Sequence, residues 1–228
     1  VTKGKFYSVG TGPGDPKLLT VAALETIENA DVIAVPDSGN GKNAVLEIVT
    51  EYVGEKNILY CPMAMTRDKE KLARCHEDSC KMLQAELDGG KNVAFLTLGD
   101  PSVYSTTMYV HNMLKEKGYS TKMIPGVTSF CAAAAALDLS LCEGGQALHI
   151  LPASYGGTEE GLALDGNKVL MKSGKSILKV KKFANMENNE VYAVERCGME
   201  GEKIHTSLDT IDETTGYFCV MIVKEKEQ

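Results

Sequence analysis

The stretch "NVAFLTLGD", Asn92 to Asp100, leaves little choice of environment. From Val93 to Leu98 the only polar residue is Thr97, and apolar positions do not alternate with polar ones. A strand with one wetted face alternates with a period of two. A strand apolar on both sides is covered on both, as in a parallel sheet flanked by helices. Parallel neighbours need long crossovers, usually helical, so this run points to an α/β arrangement.

The flanking segments agree. Lys5 to Val9, in "KFYSVG", predicts a buried strand. Thr20 then reads as an N-cap, with Leu19, Ala22, Ala23, Ile27 and Ala30 at helical spacing around it. "DVIAVP" predicts a strand closed by Pro36, "NAVLEIVTEYV" a helix and "ILYCPM" a strand. A long polar helix follows over residues 67–88, stopped by Gly89-Gly90. Beyond "NVAFLTLGD", "SVYSTTMYVHNMLKEKG" predicts a helix, "TKMIPG" a strand and "VTSFCAAAAALDL" an alanine-rich helix. In the later part "ALHILPA", "KVLMK" and "EVYAVERC" read as strands with helices between them. "KIHTSL" and "GYFCVMIVKE" follow over a short polar link, which favours a mixed sheet with an antiparallel portion. The expected fold is two α/β domains, a mainly parallel one over 1–122 and a mixed one over 123–228, with the break near Lys122 to Val127.

The 228 residues suffice for such a pair. No apolar run approaches the roughly 20 residues of a membrane helix. The polar start Val1-Thr2-Lys3-Gly4-Lys5 runs straight into a strand, without the pattern of a signal peptide. The expectation is a cytoplasmic protein that does not enter membranes. A net charge of −7 argues against broad nucleic-acid binding, but not against a small anion held by local Lys and Arg. The seven cysteines are odd in number, form no CxxC pair and sit largely in apolar runs such as "SFCAAAAA" and "YFCVMIV". They read as small buried hydrophobes in a reducing compartment. Cys75, His76 and Cys80 could share a helix face, yet further ligands are lacking, so no protein-bound metal is expected.

Two loops carry the functional signal. In "VGTGPGDPKLLT" the glycines are Gly10, Gly12 and Gly14, one position short of GxGxxG, and Asp15-Pro16 stands where a phosphate-binding helix should open. Three readings remain: a weak dinucleotide site, a tight turn, or a bare backbone that lets a bulky flat ligand approach. The second loop is Gly99-Asp100-Pro101, at the carboxyl end of the apolar strand, where ligands of parallel sheets gather.

"VGTGPGDPKLLT", "GDPSVYST", "PGVTSFCAAAAALDLSL", "VLMK" and "VERCGMEGEKI" occur in the order seen in the tetrapyrrole (corrin and porphyrin) methyltransferases, and the chain resembles that family from about Phe6 to Val223. The resemblance implies two α/β domains, an acceptor side with the GDP loop and a donor-binding side. Between them would lie S-adenosylmethionine as methyl-donor cosubstrate. It also implies a homodimer. Within the family, "YCPMAMTRD" and the "SFCAAAA" segment look most like enzymes that methylate carbon-20 of cobalt-factor II, or of metal-free precorrin-2, in vitamin B12 synthesis.

The same resemblance assigns the donor to Gly99, Asp100 and Val103, with Tyr104, Ser105 and Thr106 close by, to Thr128 and Ser129, and to Met171 and Cys197. Pro13 would border donor or acceptor, and Gly12, Pro13 and Gly14 would form a wall for the acceptor. The acceptor's carboxylates suggest Arg67, Arg74, Lys172 and Lys175 as partners, Arg74 and Lys175 reading better as solvated charges. Lys172 adjoins Met171 where some relatives have glycine. After methylation a proton leaves the accepting carbon, and Asp100, Tyr104 and Lys172 are the acid–base candidates. Three other readings stand beside this one. They are a family member acting at another ring position, a nicotinamide-dependent oxidoreductase using Asp37 on the ribose, and a Cys/His metal or tetrapyrrole carrier.

Overall fold

The computed structural model describes residues 2–226 apart from 40, 42, 65, 67, 154, 155, 174–176, 178, 179, 181, 183–187, 212–215 and 217. The chain divides into two compact units, Val1–Thr128 and Ser129–Gln228.

In the first unit, strands β1 (Phe6–Gly10), β2 (Val32–Asp37), β3 (Asn57–Pro62), β4 (Val93–Thr97) and β5 (Thr121–Ile124) form a parallel sheet in the order β3-β2-β4-β1-β5. The apolar run is β4, third of the five. Its side chains sort with period two. Val93 and Phe95 join one core with Phe6, Cys80, Leu83, Leu87, Val110 and Leu114. Ala94 and Leu96 join another with Val9, Ala23, Ile27, Ile48 and Val49. Helices α1 (Val21–Asn29) and α2 (Ala44–Val53) therefore cover one face. Helices α3 (Lys69–Asp88) and α4 (Thr107–Glu116) cover the other. Each fully buried large side chain contributes about 1.5–3 kcal/mol relative to exposure, which is why β4 tolerates no polar face.

Side-chain caps open α1, α2 and α3. Thr20 Oγ1 accepts from Ala23 N (3.1 Å) to open α1. Asn43 Oδ1 accepts from Val45 N and Leu46 N to open α2. Asp68 Oδ1 accepts from Glu70 N and Lys71 N to open α3. The helix expected from Ser102 begins only at Thr107, because residues 101–106 are drawn into a turn by the side chains of Asp100 and Ser105. The boundary expected between 122 and 123 lies inside β5, which pairs with β1.

The second unit holds α5 (Ser129–Ala136), β6 (Leu148–Pro152), α6 (Thr158–Leu162), β7 (Asn167–Met171), β8 (Asn189–Glu195), β9 (Lys203–His205) and β10 (Cys219–Glu225). Its sheet runs β6-β7-β10-β8-β9. β6 and β7 are parallel, and the β7–β10, β10–β8 and β8–β9 pairs are antiparallel, which is the mixed sheet the sequence implied. The helix expected between β7 and β8 falls largely outside the described residues. Among the described residues no helix is long and apolar enough to cross a membrane.

Cys61, Cys80, Cys197 and Cys219 are buried, but Cys131 and Cys142 are exposed, against the expectation drawn from "SFCAAAAA". α5 buries Phe130, Ala132, Ala133 and Ala134, and Cys131 falls on its outer side. Burial lifts the Cys61 thiol to about 12 and the Cys219 thiol to about 11. Burial, with Glu202 beside it, lifts Cys197 to about 11. The thiolate is the reactive form, so below those values the folded protein keeps these groups protonated. A thiol reagent at pH 8, followed by peptide mass mapping, should label Cys131 and Cys142 quickly and Cys61, Cys197 and Cys219 only after denaturation. Rapid labelling of Cys61 in the native protein would contradict the fold.

Candidate active site

The connection after β1 leads to α1 on one face of the first sheet, and the connection after the neighbouring β4 leads to α4 on the other. Adjacent strands whose connections part to opposite faces leave a crevice at their carboxyl ends, where α/β sheets bind ligands. The two loops singled out in the sequence both lie here.

They are joined backbone to backbone. Gly12 N donates to Gly99 O (3.2 Å) and Gly99 N to Gly12 O (2.7 Å), a short antiparallel bridge. Thr11 N and Thr11 Oγ1 both donate to Thr97 O, at 2.9 and 3.0 Å. The loop after β5 comes equally close. A Cβ on Gly126 would lie 2.2 Å from Gly99 O, and one on Gly10 would lie 2.7 Å from Gly126 N. Gly12 and Gly99 are also left-handed, with φ of 74° and 72°. Gly12, Pro13 and Gly14 are buried.

Asp100 holds the arrangement from the side. Its Oδ2 accepts from Gly126 N (2.9 Å), and its Oδ1 accepts from Ser102 N (2.8 Å) and from Ser102 Oγ. The carboxylate is 9% exposed, and these donors occupy both oxygens. Thr20 Oγ1 donates to Pro125 O (3.1 Å), tying the start of α1 to the same β5 loop.

Further along, Val103 is half-buried, Tyr104 is exposed with φ of 50°, and Thr106 is exposed. Ser105 Oγ lies 2.9 Å from Thr97 Oγ1 and 2.7 Å from Thr107 Oγ1, and accepts from Thr107 N (3.3 Å). Thr128 closes the first unit. Its Oγ1 is covered yet has no hydrogen-bond partner among the described residues, a state that costs free energy unless another group supplies one. A hollow of about 350 Å³ opens at the carboxyl ends of β2 and β3, lined in part by Asp37, Gly39 and Tyr60.

In the second unit Met171 ends β7 and is half-buried. Lys172 follows with φ of 58°, the region glycine occupies without strain. Cys197 lies just beyond β8, buried, with its thiol held protonated. Ser129 opens α5 and is half-buried. Arg67 and Lys175 lie outside the described residues. Arg74 forms a 4.0 Å pair with Glu70 on the exposed side of α3, a weak surface contact.

The dinucleotide reading loses its geometry. Asp15 caps only a short 3₁₀ turn, Pro16–Leu18, and α1 starts at Val21, so no helix opens on the glycines. β4 separates β1 from β2, and Asp37 at the end of β2 accepts from Gly39 N (2.7 Å). Among the described residues no three His, Cys, Asp or Glu side chains are grouped to hold a metal ion.

Residues 5–212 match the model of the tetrapyrrole (corrin/porphyrin) methylases. The chain belongs to that family. It is 38% identical, over 96% of both chains, to a protein of Methanocaldococcus jannaschii named as a probable cobalt-precorrin-2 C(20)-methyltransferase. It is 30% identical to the precorrin-2 C(20)-methyltransferase of a Sinorhizobium species, over 96% of this chain and 95% of that one. Among solved structures, a cobalt precorrin-4 methyltransferase superposes with a TM-score of 0.76 at 25% identity, over 96% of this chain and 94% of that one. A uroporphyrin-III C-methyltransferase of Thermus thermophilus, complexed with S-adenosyl homocysteine, shares the fold, with a TM-score of 0.72 at 20% identity over 97% of this chain and 92% of that one.

The sequence reading named Gly99, Asp100 and the opening glycines, and the structure brings them together. It missed the packing of Gly10 and Gly126, and the parts played by Thr97 and Thr107. Glycine directly after two strands, at Gly10 and in Pro125-Gly126, was the available signal.

Gly126→Ala forces its Cβ onto Gly99 O and should lower stability by about 1–3 kcal/mol. Gly145→Ala, at an exposed site with nothing within 4 Å, should stay within about 0.5 kcal/mol of wild type. Urea midpoints compare the two. Equal midpoints would show that the glycine contact constrains nothing.

Proposed function

We propose that this methyltransferase uses S-adenosylmethionine to methylate carbon-20 of cobalt-factor II, or of precorrin-2, in vitamin B12 synthesis. The observation that carries the reading is similarity along essentially the whole chain to C(20)-methyltransferases, at 38% and 30% identity. Another ring position within the same family is the rival reading.

The residues at the end of the first sheet fit a nucleoside-bearing donor. They offer a crevice lined by bare backbone and one covered hydroxyl, Thr128 Oγ1, unpartnered among the described residues. Gly99, Val103 and Thr128 would hold it, with Pro13, Tyr104, Thr106 and Ser129 as neighbours. Met171 and Cys197 of the second unit remain proposed adenosine contacts on the resemblance. When bound, the donor supplies an electrophilic methyl group on sulfur.

The protein's part is placement more than reactivity, since methyl transfer needs the accepting carbon ~3–3.5 Å from the methyl and in line with it. Asp100 serves that placement by locking the β4 loop to Gly126. The acceptor carbon bonds to the methyl as the methyl–sulfur bond breaks, its electron pair staying on the sulfur of the departing S-adenosylhomocysteine, and the carbon then releases a proton. Lys172 is the proposed group for that proton or for a substrate carboxylate, and Tyr104 is its rival. Gly12, Pro13, Gly14 and Arg67 stay proposed acceptor contacts. A cytoplasmic homodimer belongs to the same reading, and size-exclusion chromatography with light scattering checks the dimer.

Calorimetric titration should show S-adenosylmethionine and S-adenosylhomocysteine binding and no NAD binding. The reverse result would end the proposal. Carbon NMR of product made with a labelled donor methyl should place the label on carbon-20. Lys172→Met should weaken acceptor affinity about tenfold, the scale of a lost charge-assisted hydrogen bond. Unchanged turnover and acceptor affinity would remove Lys172 from the site. Lys172→Gly should leave stability unchanged or raise it by about 1 kcal/mol as the left-handed strain is relieved.

A further inference from the structure

Ser105 uses its hydroxyl inside its own loop. A hydroxyl has one donor and two acceptor sites. Thr97 Oγ1, Thr107 Oγ1 and Thr107 N, at 2.9, 2.7 and 3.3 Å, claim all of them. Thr97 is itself anchored, since its carbonyl accepts from both Thr11 N and Thr11 Oγ1. Ser105 is thereby fixed to β4 and to the first turn of α4.

Tyr104 precedes it with φ of 50°, a conformation that costs a bulky L-residue free energy. The chain before Tyr104 is held as well. Asp100 grips Ser102 and Gly126, and Val103 N donates to Asp100 O (3.2 Å). The tyrosine is thus clamped from both sides in a strained state. Core packing does not account for the strain, because Tyr104 is 44% exposed. Strain that neighbours over-determine is characteristic of sites where a side chain is being aimed.

We infer that Ser105 is a positioning residue that acts through Tyr104, and that the Tyr104 ring is a stacking platform for the conjugated face of the tetrapyrrole acceptor. The inference rests on the methyltransferase reading above. An open platform suits a broad, carboxylate-rimmed ring that keeps contact with water, whereas a nucleoside is held mostly enclosed. Aromatic faces recognise such a ring through offset stacking.

The test is steady-state methyl transfer with acceptor and donor varied separately, on wild type and on Tyr104→Phe, Tyr104→Ala, Ser105→Ala and the double variant Ser105→Ala/Tyr104→Ala. Calorimetric donor affinity and melting temperature are measured alongside. Tyr104→Phe keeps the aromatic face and should hold the acceptor KM near that of wild type. Tyr104→Ala should raise the acceptor KM about tenfold, with donor affinity and melting temperature held. Ser105→Ala should raise the acceptor KM severalfold, and the double variant should be no worse than Tyr104→Ala, because both act through one ring. An unmoved acceptor KM in Tyr104→Ala overturns the inference. So does full additivity in the double variant, or weakened donor binding in Ser105→Ala. An acceptor KM raised as far in Tyr104→Phe as in Tyr104→Ala assigns the contact to the phenol instead of the ring face and overturns it too. If wild type methylates no tetrapyrrole, the functional reading falls with it, whereas an active wild type with unmoved KM values overturns this inference alone.

Discussion

At the carboxyl end of the first sheet, three glycines from three different strand ends approach closer than side chains permit, and the surrounding loops run where that approach sends them. Gly10, Gly99 and Gly126 leave no room for a Cβ on Gly10 or Gly126. The Gly12–Gly99 bridge and the Thr11–Thr97 contacts join the β1 and β4 loops. The Asp100–Gly126 bond joins β4 to β5, and Thr20–Pro125 returns from β5 to the start of α1. Each tie uses a backbone group that would otherwise be left unpaired near the end of the sheet. The result is a closed circuit of loops around the crevice.

Such a circuit suits a reaction whose demand is geometric. Moving a methyl group from sulfur to an electron-rich carbon calls for alignment more than for a strong acid or base. The side chains follow that logic. Asp100 and Ser105, the most chemically inviting groups in the GDP loop, are both committed to holding the loop in shape. The second unit places comparable strain at its own strand ends, with Lys172 after β7 and Arg196 after β8 both left-handed. Arg196 is held there by its N–H on Phe218 O and its Nε on Glu200 O, both at 2.7 Å.

Much of the architecture was legible because burial writes itself into periodicity. The unbroken apolar run of β4 required cover on both faces, and Val93, Ala94, Phe95 and Leu96 divide alternately between two helical layers. Thr20, followed by apolar residues at helical spacing, marked the start of α1. Where local signals competed, the sequence misled. Ser102 to Thr106 carries helical character, but the Asp100 and Ser105 side chains pull it into a turn. Cys131 sits in an apolar run and still faces outward, since an alanine-rich helix shows no clear stripe.

The sequence by itself determined the α/β class, the mixed character of the second sheet and, through five motifs in order, the methyltransferase family. Those properties rest on local pattern, which a linear string preserves. Only the tertiary structure decided what the opening glycines do. Taken alone, Gly10, Gly12 and Gly14 resemble a dinucleotide loop that has lost its spacing. In the fold Gly10 and Gly12 are contact points for Gly99 and Gly126, 87 to 116 residues away along the chain. The strand order that brings those backbones together is a property of long-range pairing, and no spacing within a single loop can encode it.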